Sequence, residues 1–206
     1  MLLHDIKSAY FKWLFMVISA WIISGCSTTL EVKGEFPTPV IDPVPITLGV
    51  NYQQAFRQYQ YVEESEERDN WKISIGNAQT SLFEQVLPAM FSKIVAVDTT
   101  DNTKVDLILQ PILEEFQYNT PRETNIKMYE VWMKYNLKVY NQQGQLIADW
   151  IMTAYGKTPS AFMQSDQSAL NEALVVALRD AGARLSLSFV HVPEIKHWLA
   201  QHRSMK

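Results

Sequence analysis

Tyr129 to Tyr140, YEVWMKYNLKVY, alternates without a break over twelve residues. Tyr129, Val131, Met133, Tyr135, Leu137 and Val139 project one way; Glu130, Trp132, Lys134, Asn136, Lys138 and Tyr140 project the other. A period of two with one apolar side marks a strand buried on one face. Asn141-Gln-Gln-Gly144 is a hairpin turn signal, so Gln145 to Gly156 reads as the return strand. Upstream, VDLILQPILEEFQY (105–118) is apolar on both sides and then polar. Pro111 has no N–H to give a ladder, which predicts an edge or a bulge there.

Further toward the amino terminus, ITLGVNY (46–52), WKISI (71–75) and Ile94 to Val97 read as shorter strands. QQAFRQYQYV (53–62) fits both strand and helix spacing. Ala78 to Phe91 sets Ala78, Leu82, Phe83, Val86, Leu87, Met90 and Phe91 on one helical face, with Asn77 as a plausible N-cap. Pro88 within it predicts a kink or an early end. After a loop, a long helix starts near Ser168, with Leu170, Ala173, Leu174, Ala177, Leu178, Ala181 and Leu185 as its core stripe. Gly182 either costs about 1 kcal/mol relative to Ala or permits close packing. Pro193 can open a last short helix as its first residue. This order predicts an α+β fold: a two-layer sandwich, mainly antiparallel sheet with two main helices on one face, as a single domain over 46–206.

The amino-terminal region carries the location. Lys7 and Lys12 precede an apolar run of about 11 residues, Trp13 to Ile23, inside signal-peptide length and short of the ~20 a spanning helix needs. Ile23-Ser24-Gly25-Cys26 follows and resembles the lipobox of bacterial lipoproteins. That resemblance implies a signal peptide over 1–25, diacylglycerol on the Cys26 thiol, cleavage before it and acylation of the new amino terminus. Acyl chains bury about 0.8 kcal/mol per CH₂, so such an anchor is effectively permanent. Ser27, where enterobacterial sorting would read Asp as an inner-membrane signal, implies the outer membrane, with the domain on the periplasmic side. From Cys26 to Pro45 the chain is dense in proline (Pro37, Pro39, Pro43, Pro45) and reads as a semi-rigid tether of roughly 50 Å reach at ~3.1 Å per residue.

The 206 residues carry a formal charge of −4 and are 47% hydrophobic. The acidic balance and the lack of a basic stripe argue against a nucleic-acid partner. Cys26 is the single cysteine, so no disulfide or cysteine-based metal site is expected. The acidic run Glu63, Glu64, Glu66, Glu67 and Asp69 lacks the glycine of a calcium loop and reads as a solvated loop. His191, His197 and His202 do not converge at helical spacing, and no metal site is expected from them. Glu114 and Glu115 are placed on opposite faces by alternation, so they do not form a glycosidase pair. No nucleophile elbow, zincin, phosphate-loop or CxxC motif is present, and no catalytic residue or cofactor is assigned. Trp132 and Tyr140, interleaved with Lys134 and Lys138, suit a protein interface or pack under a neighbouring helix. Phe162, in Ala161-Phe162-Met163, is a further partner-binding candidate or tucks into the core.

The lipobox, SLFEQVLPAMFSKIVAVD, VDLILQPILEEF and QSALNEALVVALRDA together resemble the small outer-membrane lipoproteins of the YajG type. A more distant similarity is to envelope-assembly lipoproteins, such as the curli-secretion lipoprotein and the lipopolysaccharide-assembly lipoprotein LptE. These resemblances imply binding or assembly without catalysis, and carry over no functional residue except Cys26. The expected function is a non-enzymatic, outer-membrane-anchored lipoprotein that binds or scaffolds a cell-envelope component from the periplasmic side, with an envelope protein as the expected partner. The alternatives are an auxiliary lipoprotein of a transport system, handling lipid or contacting a transporter subunit, and an envelope hydrolase with scattered residues.

Overall fold

The computed structural model describes residues 28–63, 70–101, 104–124, 126–161 and 164–204. In chain order the strands are β1 (Thr28–Glu31), β2 (Val44–Val50), β3 (Gln60–Val62), β4 (Trp71–Ser74), β5 (Phe91–Ala96), β6 (Leu107–Asn119), β7 (Met128–Asn141) and β8 (Leu146–Pro159). The helices are α1 (Gln54–Arg57), α2 (Gly76–Met90), α3 (Pro121–Thr124), α4 (Asp166–Ser188) and α5 (Pro193–Ser204), with a 3₁₀ turn at Phe189–His191.

The alternation of 129–140 is realised residue by residue. Every odd position from Tyr129 to Val139 is buried and every even one half-buried. β7 lies between β6 and β8 in a five-stranded sheet ordered β5-β2-β6-β7-β8. Its two long ladders, β6–β7 and β7–β8, are antiparallel, and the shorter β2–β5 and β2–β6 pairings are parallel. Pro111 falls past Leu109, the last β6 residue paired to β2, so its missing N–H costs no ladder bond on that side. The β7–β8 turn uses Gly144 at φ 78, a left-handed conformation open to glycine.

The odd side of β7 faces the helices. Tyr135 is 0% exposed and packs on Phe83 of α2, ring centroids 6.1 Å apart. Its hydroxyl donates to Gln79 Oε1 (3.2 Å), and Gln79 Nε2 donates to the Phe56 carbonyl (2.6 Å). A buried glutamine is thus satisfied at both ends, as an uncharged buried amide must be. α4 crosses β7 and β8. Leu170, Leu174, Leu178 and Leu185 are fully buried, each contributing about 1.5–3 kcal/mol, which outweighs the propensity lost at Gly182. A Cβ on Gly182 would sit 2.9 Å from Leu82 Cδ1, so the glycine is there for helix–helix approach. Ser165 caps α4 by accepting the Ser168 N–H at 3.1 Å.

The two-layer α+β sandwich is as the sequence predicts, with differences in several details. A second, three-stranded sheet ordered β1-β4-β3 lies beside the helices; its Tyr61 packs on Phe116 and Tyr118 of β6. Ile75, not Asn77, precedes α2, and Asn77 lies in its first turn. Pro88 sits in the last turn, where α2 ends at Met90 and the chain enters β5 directly.

The proline-rich segment is extended, but it is docked from Thr28 onward. β1 pairs in parallel with β4. The Lys33 N–H donates to Asn171 Oδ1 and Asn171 Nδ2 donates to the Lys33 carbonyl, both at 3.0 Å. Arg179 donates to the Glu35 carbonyl through Nε (3.1 Å) and Nη2 (3.0 Å). Gln85 of α2 reaches the Thr38 hydroxyl. Residues 28–38 form a strap across α4 and α2 that joins the small sheet to β2.

Candidate functional site

The even side of β7 is the face the helices leave open. Cross-strand register sets its side chains in rows: Glu115, Lys134 and Thr153; Gln117, Trp132 and Tyr155; Asn119, Glu130 and Lys157. Glu115, Lys134, Thr153, Gln117, Trp132 and Asn119 line a groove of about 430 Å³. Trp132 packs on Tyr155 with ring centroids 5.2 Å apart and planes tilted 43°. The Tyr155 hydroxyl donates to Glu130 Oε1 at 2.5 Å. That bond, with burial second, holds its pKa up at about 12 against an ordinary 10.0.

A bulge between Leu113 and Glu115 reshapes the upper edge of this groove. It breaks the alternation on which Glu114 and Glu115 were placed on opposite faces. Both reach the open face: Glu115 lines the groove, and Glu114 accepts from Lys134 Nζ (3.1 Å) and Asn136 Nδ2 (2.9 Å). The Asn136 hydrogen bond, then Lys134, lower the Glu114 pKa below the ordinary carboxylate value. Lys138 lies 4.0 Å from Asp149 in the next row. Glu114 and Lys138 therefore have oppositely charged partners within this face.

Trp132 is thus part of a groove. Tyr140 is on the same face but eight residues further along β7, roughly 26 Å away at ~3.3 Å per residue. Its hydroxyl donates to Gln110 Oε1 (3.3 Å), Gln110 Nε2 donates to Asn51 Oδ1 (3.3 Å), and Asn51 Nδ2 donates to the Val97 carbonyl (3.2 Å). Gln110 and Asn51 are buried, so Tyr140 closes a structural amide chain at the far end of the sheet. Phe162 and Cys26 lie outside the described residues. Tyr155, Gln117 and Thr153 escaped sequence reading, because membership of this face depends on registers that only the hairpin pairing and the bulge define.

A second cavity, about 490 Å³, lies between the outer edge of β8 and the end of α4. Trp150, Ile151, Leu187, Arg184 and His191 line it, with Leu187 69% and Ile151 48% exposed. Along the same edge, Asp180 Oδ2 accepts the Tyr155 backbone N–H at 3.0 Å. His202 stacks on Trp198 and stands 3.4 Å from Asp106, while His197 contacts Gln201. Among the described residues no three His, Cys, Asp or Glu side chains are grouped to hold a metal, and no helix is long and apolar enough to cross a membrane.

The architecture is similar to that of protein XCC0632 from Xanthomonas campestris, of the family model DUF330, with a TM-score of 0.52 at 12% identity. That match covers 87% of this chain and 100% of the other. A minor lipoprotein from Acinetobacter baumannii matches more loosely, with a TM-score of 0.42 at 9% identity over 71% of this chain and 92% of that one. At such identity the first likeness is one of fold alone, and the second adds nothing to it. No family model and no curated protein matches the sequence.

Proposed function

We propose that this chain is a non-catalytic lipoprotein, acylated at Cys26, held at the periplasmic side of the outer membrane, and that it binds or scaffolds a cell-envelope protein through the open face of its sheet. The groove around Trp132 and Tyr155 carries the binding half of this reading. It is an aromatic pair with polar neighbours, on a rigid sheet whose opposite face is a filled core, which is the composition of an interface centre. The lipobox carries the anchoring half. The test is a photo-crosslinking amino acid at position 117 in whole cells, with and without Trp132→Ala, together with membrane fractionation of Cys26→Ala. The expected outcome is a discrete adduct lost in Trp132→Ala and release of Cys26→Ala from the outer-membrane fraction. An adduct indifferent to Trp132, or unchanged fractionation of Cys26→Ala, removes the corresponding half.

One observation favours a second reading. The cavity beside Ile151 and Leu187 is open and partly apolar, as an auxiliary lipoprotein of a transport system would need to meet lipid or a transporter subunit. A crosslinker at position 187 that captures a partner, while position 117 captures none, would favour it.

A further inference from the structure

We infer that one end of the domain sits directly against the bilayer rather than standing off it: the end that carries Thr28, Val62 and Ile126. This rests on the proposed acylation of Cys26. Only Ser27 separates Cys26 from Thr28, and Thr28 is already fixed, its N–H donating to the Asn70 carbonyl at 2.8 Å and its backbone in register with Trp71. Two residue steps span at most about 7 Å. The proline-rich residues that could have served as slack are spent on the strap over α4 and α2.

The same register defines what else lies at that end. The Glu63 N–H donates to the Trp71 carbonyl (2.8 Å), which brings the end of β3 to the same end of the small sheet as Thr28, across β4 from it. Trp71 shares a cavity of about 220 Å³ with Thr120, Arg122, Tyr129, Ser160 and Asp166. The β6–β7 connection and the end of β8 are therefore there too, with the Ser160 N–H donating to the Lys127 carbonyl. Val62 is 51% and Ile126 46% exposed, apolar side chains that present about half their surface. Opposite lies the β7–β8 turn, roughly 45 Å away along the fourteen residues of β7.

The occupant is a phospholipid surface, the one in which the acyl chains of Cys26 would lie.

The experiment uses the full chain, expressed with its leader, acylated, and reconstituted in phosphatidylcholine and phosphatidylethanolamine vesicles bearing a headgroup-linked quencher. Ile126→Cys and Gln143→Cys each take one thiol dye, since an acylated Cys26 offers no thiol. Vesicle flotation reports the anchor, and quenching reports the orientation. The expected result is flotation of both variants, with the dye at 126 quenched several-fold more than the dye at 143. Inserting about 20 Gly/Ser residues after Ser27, roughly 25 Å of flexible reach, should abolish that difference without affecting flotation. Flotation with equal quenching, or with 143 quenched more, overturns the orientation and leaves the anchor standing. Failure to float overturns both.

Discussion

At the scale of single residues the close approach of α4 to β8 is set at Gly156. A Cβ there would lie 2.2 Å from the Ala173 carbonyl oxygen and 2.3 Å from the Ala177 nitrogen, both backbone. Gly156→Ala must push helix from strand, and should cost about 1–3 kcal/mol by overpacking, measured by urea unfolding. Tyr135→Phe leaves Gln79 Oε1 without its donor in a fully buried site and should cost a similar ~1–3 kcal/mol. Trp132→Ala, on the open face, should leave the unfolding midpoint nearly unchanged while abolishing the crosslink. Tyr155 supplies a pH signature. Its folded pKa of about 12 exceeds the ordinary 10.0, so the bond to Glu130 stabilises fully below pH 10.0 and is lost as pH rises through about 12. The Tm advantage of the natural protein over Tyr155→Phe should therefore be constant at neutral pH and vanish across that alkaline window.

At the scale of elements, what the sequence made legible follows from which forces are local. β7, β8 and α4 were readable because their pattern is long and periodic, with the hairpin bounded by local turn chemistry at Asn141 to Gly144, while the Ser165 cap that starts α4 was not read. Nor was the strap. Its hydrogen bonds run to Asn171 and Arg179, more than a hundred residues away, and proline spacing says extended without saying where. The bulge after Leu113 was signalled only as an edge or a bulge at Pro111, which itself stays in register with Leu137, since alternation predicts a register but not where it breaks. In the candidate site, Trp132 was visible as an aromatic on the polar side of its strand, while its partner Tyr155 came only with the hairpin register. The strap yields its own expectation. Asn171→Ala removes both bonds to Lys33 and should cost about 1–2 kcal/mol at most. It should also raise the rate of proteolytic cleavage within residues 33–39 while the sheet's amides keep their hydrogen-exchange protection.

At the scale of the whole molecule, one layer holds the helices and the small sheet, and the other is a sheet with a free outer face. The edge of that sheet at β8 is partly closed to other strands, because Asp180 of α4 occupies the Tyr155 N–H. Asp180→Ala should reopen it and raise the tendency to self-associate, read by light scattering on heating. The strap also orders events in time. Lys33 is made early, but Asn171, which holds it, is made 138 residues later. At about 5–20 residues per second that is a wait of roughly 7–28 s. Throughout that interval residues 33–35 lack the partners on α4 that will hold them, although β4 and Gln85 are already made. Only when α4 has been delivered can the strap be fixed at Lys33 and Glu35, so residues made among the first of the domain are among the last to be locked.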